Sequence, residues 1–417
     1  MDTPSSPAPS PVPPKVGPTR RGSIVAAIFL MATSAIGPGF ITQTATFTTK
    51  LGAAFAFGIL ASVLIDFVVQ INVWRMVTLS RRNASALAHE ALPGSGHVLA
   101  VLVIFGGLVF NVGNLAGAGL GMAVLFGMSP KWGGLISAAL AVVLFSSRSA
   151  GAVVDRVIVW LGILMIALTA YVAAVSHPPV AEALQQMVYP RQVDWAAITT
   201  IVGGTVGGYI TYAGAHRLLD QGMVGEEHLS HVTSGAVNGV IVTGLMRFFL
   251  FLAILGVVSS GVVIDFSGKA ANPAAQAFHA AAGSFGLHAF GVVLWAAAIT
   301  SVMGAAYTSM SFLSAFRPDI QERTRNRATV VFIIVSLAVF LGMGTAPAAL
   351  LVFAGGFNGL ILPLGMTIFM MVGWRRPDLL GDVSYPRWLL VLGTAVCVLT
   401  WYMGIVSFDP IFKLLAA

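Results

Sequence analysis

Two hydrophobic runs in this chain are broken in the middle. Gly37-Pro38-Gly39 interrupts the first, and Gly203-Gly204-Thr205-Val206-Gly207-Gly208 interrupts another near the midpoint. Each run is long enough to cross a bilayer. A break at bilayer depth frees backbone N–H and C=O groups that lipid cannot satisfy. It persists only where the chain is buried in protein or lines a cavity. Paired breaks, one in each half of a chain, point to the binding site of a secondary transporter.

Composition sets the solvent for the rest of the argument. Of 417 residues, 57% are hydrophobic and 9% are charged, so the fold expected is an all-α polytopic membrane protein. The formal net charge of +7 therefore reports loop topology, and no nucleic-acid partner is expected. Cys397 is the single cysteine, which rules out a disulfide framework and a cysteine metal cluster. Residues 1–22 are rich in Pro and Ser and read as a disordered cytoplasmic tail. The apolar run from Ser23 is too long for a secretory signal.

Hydrophobic runs of spanning length fall at 23–49, 53–74, 97–127, 133–145, 153–174, 195–217, 232–258, 285–316, 328–344, 348–374 and 388–412, about eleven helices with the fourth short. Lys and Arg alternate between loops. One side carries Lys15, Arg20, Arg21, Arg75, Arg81, Arg82, Arg148, Arg156, Arg217, Arg317, Arg323, Arg325, Arg327, Arg375, Arg376 and Arg387; the other has Lys50, Lys131, Arg191, Lys269 and Lys413. The bias predicts a cell inner (cytoplasmic) membrane protein with its N-terminus cytoplasmic and its C-terminus outside. The breaks fall in helices one and six. An odd spacing of five helices inverts the second repeat, giving 23–174 as the first inverted repeat, 195–374 as the second and 388–412 as an appended helix.

These residues resemble the Nramp family of divalent-metal transporters. Gly37-Pro38-Gly39-Phe40 is similar to the family's Asp-Pro-Gly-Asn motif, and Thr205-Val206-Gly207-Gly208-Tyr209 to its helix-six Thr-Val-Met-Pro-His stretch. The register runs without gaps through Lys50-Leu51-Gly52 to Gln70. The resemblance implies a LeuT-type 5+5 inverted repeat with broken helices 1 and 6. It also implies that the family's metal ligands, an Asp and an Asn of helix one and a Met of helix six, stand here as Gly37, Phe40 and Gly207. The family's helix-ten Gln corresponds to Gly355, two helix-three carboxylates to Asn111 and Asn114, and the helix-six His to Tyr209. A dication needs O, N or S donors and negative charge. Gly and Phe side chains supply neither, so no metal site and no bound cofactor are expected.

The glycines at Gly37, Gly207, Gly208 and Gly355 are expected to open volume at the bilayer midplane and to bare N–H groups at half-helix starts, which favour anionic groups. With Pro38, Gly39, Phe40, Gln43, Thr44, Thr205, Tyr209, Asn111 and Asn114 they form the candidate substrate-binding set. The expected partner besides the lipid bilayer is a small-molecule solute, such as a carboxylate or an amide-bearing metabolite. A coupling ion, H+ or Na+, is left open. Asp66, Arg247 and His216 are coupling or gating candidates, because ionisable groups within spans are functional by default. The other glycines of helix three, Gly113, Gly117, Gly119 and Gly121, read as helix-packing positions. The leading reading is a secondary transporter working by alternating access. The alternatives are a proton-coupled Mn, Mg or Fe transporter with a rebuilt site, and a channel or non-transporting sensor. No HExxH, CxxC or Ser/His/Asp set lies at bilayer depth, so no enzyme is expected.

Overall fold

The computed structural model describes residues 20–146, 150–265, 272–343 and 347–413. The described residues are helical, and no strand occurs among them. In chain order the helices are α1 (Arg20–Ala35), α2 (Pro38–Leu51), α3 (Phe55–Ser80), α4 (Ala84–Ala91), α5 (Ser95–Phe126), α6 (Pro130–Ser146), α7 (Ala150–Val175), α8 (Val180–Val188), α9 (Trp195–Thr205), α10 (Ile210–Asp220), α11 (Leu229–Ser259), α12 (Pro273–Ser311), α13 (Glu322–Gly342), α14 (Pro347–Arg375) and α15 (Arg387–Lys413). Of the expected tail, residues 1–19 lie outside the described residues, and Arg20 already begins α1.

Helix occupies every one of the hydrophobic runs. Among the described residues, seven helical segments are by length and composition able to cross a membrane, or eight if the pair Val159–Val175 and Val180–Val188, bent by 110°, counts as one. The difference from eleven has a physical cause. The breaks cut two runs into the pairs α1/α2 and α9/α10, whose pieces are short alone. The fourth run, α6, has only 17 residues. Unforeseen are the short helices α4 and α8 and a kink in α12 at Ala282 and Gly283, where Gly283 takes φ +59°.

Both breaks are narrower than the glycine patterns imply. Pro38 and Gly39 already belong to the first turn of α2, with Gly37 as its extended N-cap. Proline suits that turn because its missing N–H is unpaired there in any case. Gly203 and Gly204 are still helical; the non-helical stretch between α9 and α10 is 206–209. Gly208 sits there at φ +61°, a left-handed conformation that side-chain-bearing residues avoid.

The helix-three glycines are packing surfaces, as expected. A Cβ on Gly117 would lie 2.3 Å from Pro38, on Gly119 2.1 Å from the Pro130 carbonyl, and on Gly121 2.8 Å from the Trp295 nitrogen. In lipid such close backbone approach replaces the hydrophobic effect as the force between helices. It presses α5 against α2, α6 and α12, so the first break is held on a rigid wall.

Candidate functional site

The breaks lie against each other and against α5, α12 and α14. Gly37 faces Ser301 of α12 and Asn114 of α5: a Cβ there would stand 2.8 Å from Ser301 Oγ and 3.4 Å from Asn114 Oδ1. Ser301 Oγ donates to the Thr33 carbonyl at 2.9 Å, near the end of α1. The Tyr209 hydroxyl faces Asn114 and Ser34, and its ring meets Phe110 edge-on at 5.7 Å. Phe40 is fully buried. Gln43 donates from Nε2 to the Leu351 carbonyl of α14 at 3.1 Å. It also lies against Gly204 and Gly355.

The expectation that these glycines open room fails in this conformation. A Cβ on Gly355 would lie 2.1 Å from Gln43 Nε2, and one on Gly207 2.6 Å from the Asn358 carbonyl. A Cβ on Gly203 would meet the Gly355 carbonyl at 2.0 Å. The volume a side chain would take is filled by neighbouring helices, because bare backbone lets α9 and α14 touch. Gly207, Gly208 and Gly355 are therefore contact points between helices six and ten here.

The two asparagines of α5 separate. Asn111 donates to Ser336 Oγ of α13 at 3.1 Å, away from the breaks. Asn114 stays at Gly37 and Tyr209. Asn358 of α14 was not in the candidate set. Its Nδ2 donates to the Gly106 carbonyl at 3.2 Å and the Ala354 carbonyl at 2.9 Å. Its Oδ1 therefore points elsewhere, and that atom lies 1.9 Å from where a Gly208 Cβ would stand. The available signal was an isolated amide one turn beyond Gly355 in an apolar helix.

Several fully buried polar atoms around the breaks make no hydrogen bond: Ser34 Oγ, Gln43 Oε1, Thr44 Oγ1, Asn114 Nδ2 and Asn358 Oδ1. Buried polar groups are nearly always paired, so a cluster of unpaired ones is a candidate place for water or a ligand. The set offers donors and acceptors and no formal charge. Thr205 Oγ1 turns back to the Ile201 carbonyl at 2.7 Å. Thr211 Oγ1 donates to the Val206 carbonyl inside the break.

Asp66 of α3 and Arg247 of α11 pair at 2.6 Å, with side chains 1% and 0% exposed. The Arg247 guanidinium also donates from Nη1 to Ser62 Oγ at 3.3 Å and from Nη2 to the Thr205 carbonyl at 3.5 Å, at the second break. His216, near the end of α10, accepts the Ala84 N–H at Nε2 at 3.0 Å. Its Nδ1 lies 2.7 Å from Ser311 Oγ. Because Ser311 donates to the Thr308 carbonyl at 2.6 Å, the imidazole Nδ1–H donates to Ser311. His216 thus straps α10 to α4 and α12. At the other end of the broken helices, Lys50 and Asp194 pair at 2.7 Å, and Asp194 caps α9 through the Ala197 N–H at 3.0 Å. Burial pushes the Asp194 carboxyl up. The Lys50 ammonium and the Ala197 N–H outweigh it, and its pKa lies below the ordinary value.

Facing helix breaks in an all-helical membrane bundle define a transporter scaffold of the broken-helix kind. The chain belongs to the Nramp family: the model of natural resistance-associated macrophage protein-like proteins matches residues 28–408. A relative from Bacillus subtilis, named uncharacterized membrane protein YcsG, is 48% identical over 92% of this chain and 93% of its own length. A Haemophilus influenzae protein named only as an uncharacterized membrane protein is 46% identical over 95% of this chain and 98% of its own. Among solved structures, the Eremococcus coleocola manganese transporter matches with TM-score 0.72 at 15% identity, covering 96% of this chain and 90% of that one. MhsT in complex with L-phenylalanine matches with TM-score 0.65 at 16% identity, covering 94% and 98%. These two likenesses show the LeuT-like fold.

Proposed function

We propose that this Nramp-family membrane protein carries a small organic solute by alternating access and has given up the dication. The observation that carries the reading is the donor set at the breaks. Gln43, Thr44, Asn114, Tyr209 and Asn358 are neutral, and Gly37, Gly207 and Gly355 present backbone only. Asp66, a carboxylate linked to the second break through Arg247, is held by that guanidinium at 2.6 Å. A dication stripped of water needs anionic charge in a low-dielectric site. A neutral amide or a monocarboxylate needs the mixed donors and acceptors present here, with half-helix starts favouring its negative end. Two neighbours of the same fold were crystallised with organic molecules, L-phenylalanine and bromovinylhydantoin.

In this reading the substrate set is Gly37, Pro38, Gly39, Phe40, Gln43, Thr44, Thr205, Gly207, Gly208, Tyr209, Asn114 and Gly355, with Asn358 added and Asn111 reassigned to helix packing. Residues 23–174 and 195–374 form the inverted repeats, and the N-terminus is cytoplasmic. The second reading is divalent-metal transport with a rebuilt site, favoured by the fold likeness to a manganese transporter. Calorimetric titration and uptake with manganese separate the two. Both stay silent in the first reading, and saturable manganese uptake overturns it. A thermal-shift screen of small carboxylates, amino acids and lactams then finds the solute by its stabilisation of the folded state.

A further inference from the structure

We propose that Asp66 is a proton-binding site that couples the transport cycle to pH, with Arg247 as its link to the unwound part of helix six. The inference rests on the alternating-access reading and on no particular solute. Thr205 is the last residue of α9. In a continuous helix its carbonyl would accept the N–H four residues on; the break removes that partner. Arg247 Nη2 takes its place at 3.5 Å, a cation at the negative end of a half-helix. The same Nη2 holds Asp66 Oδ2 at 2.6 Å. One donor is thus shared between a carboxylate on α3 and the break.

The pairing is one-sided. Arg–carboxylate pairs are frequently bidentate, with both oxygens on the guanidinium fork. Here Arg247 holds Oδ2 alone; Oδ1 is off the fork, with the Gln70 and Thr243 side chains beside the carboxylate, and Arg247 Nε makes no hydrogen bond. Oδ1 is the position a proton would take. Facing the pair are Ser62 and Gln70 of α3, Thr243 of α11 and the Thr205 carbonyl of α9, all neutral. Among the described residues, the charge acting on Asp66 is chiefly Arg247 and the charge acting on Arg247 is Asp66. When a proton from water bonds to Oδ1, the carboxylate becomes a neutral acid and Arg247 keeps its charge. Its attraction to Asp66 falls, and its remaining partners are Ser62 Oγ at 3.3 Å and the carbonyl end of α9 at 3.5 Å. Protonation therefore frees Nη2 from Asp66 for the break while Nη1 stays on Ser62, and loss of the proton returns it.

The test uses the full-length protein in lipid nanodiscs, without any solute. Infrared difference spectra follow carboxyl protonation through a pH titration, and hydrogen exchange follows residues 203–212. The variants are Asp66→Glu, Asp66→Asn and the double neutral Asp66→Asn/Arg247→Gln, which leaves no charge stranded should the single variant misfold. The wild type is expected to gain a carboxylic-acid band on acidification that both Asn variants lack. Its exchange at 203–212 is expected to change about tenfold, while the double variant stays flat. Asp66→Glu keeps both responses with a shifted midpoint. Identical acid spectra in wild type and double variant, or an equal exchange response in both, overturns the proposal. Neither readout involves a solute or manganese, so failure of the solute class leaves this test standing.

Discussion

Substituting Gly203 by Ala tests whether helices six and ten are in contact at the second break. The added Cβ would lie 2.0 Å from the Gly355 carbonyl oxygen, 2.2 Å from the Gly359 nitrogen and 2.5 Å from the Gly359 Cα. All three are backbone atoms, which cannot rotate aside. To restore ordinary contact at the Gly355 carbonyl, which begins near 3.4 Å, the 2.0 Å approach must open by about 1.4 Å. Overpacking of this kind costs about 1–3 kcal/mol. Alanine returns up to about 1 kcal/mol through helix propensity. With the full return the net is a loss of about 0–2 kcal/mol. Gly404 of α15 is the control, because its nearest neighbour would be Leu360 Cδ2 at 3.7 Å. There the same change should stabilise by about 0.4–1 kcal/mol. Unfolding followed by tryptophan fluorescence in mild detergent should therefore separate the two variants by about 0.4–3 kcal/mol, with Gly203→Ala the less stable. If Gly203→Ala is as stable as Gly404→Ala, the helices do not touch in the resting protein and the glycines are open room after all.

Asp66→Asn should cost about 3–5 kcal/mol by stranding Arg247, whereas Asp66→Asn/Arg247→Gln should recover most of it; thermal unfolding of the singles and the double measures the cycle. Asp194→Ala removes the α9 cap and the Lys50 pair, a loss of about 1–2 kcal/mol, while Asp194→Asn keeps the cap and loses only the partly exposed pair, about 0.2–1 kcal/mol. Since the folded pKa of Asp194 is lowered, its contribution is fully present above the unfolded value of 3.8 and disappears as pH falls through the folded value. A stability–pH curve for wild type and Asp194→Asn should therefore converge only on that acid side. His216→Ala unpairs the Ala84 N–H and Ser311, and should speed amide exchange at the start of α4 with a loss of about 1–3 kcal/mol.

The breaks were legible because Gly-Pro-Gly and a glycine cluster inside apolar runs have few other uses at bilayer depth. Their width was not, because a glycine that continues a helix looks the same in sequence as one that ends it. Gly203 continues α9, and Gly208, at φ +61°, lies in the break. Whether a glycine makes space or contact depends on what lies opposite. For Gly203 that is Gly355 and Gly359, more than 150 positions away in the chain. Asn111 and Asn114 share a helix face by spacing, yet one turn sends the first to α13 and keeps the second at the break. Asp66 and Arg247 stood out as charges in apolar helices. Their contact, across 181 positions, is a property of the packed α3 and α11.

The proposed loss of metal transport goes deeper than three absent ligands. An Asp restored at Gly37 starts with its Cβ 2.8 Å from Ser301 Oγ, and Ser301 is already committed to the Thr33 carbonyl. A Met restored at Gly207 starts 2.6 Å from the Asn358 backbone carbonyl, which belongs to a helix wall and has no rotamer to offer. The shell fits the glycines closely, so an Asp at Gly37 needs Ser301 of α12 to give way and a Met at Gly207 needs α14 to withdraw. Electrostatics points the same way. The Thr205 carbonyl, a natural cation ligand at a half-helix end, already faces a guanidinium. A mobile dication beside it would meet a fixed positive charge whose compensation is Asp66, and Asp66 cannot serve both at full strength. Neutral and singly negative solutes face no such competition, which is why the resident cation and the bare backbone are parts of one design.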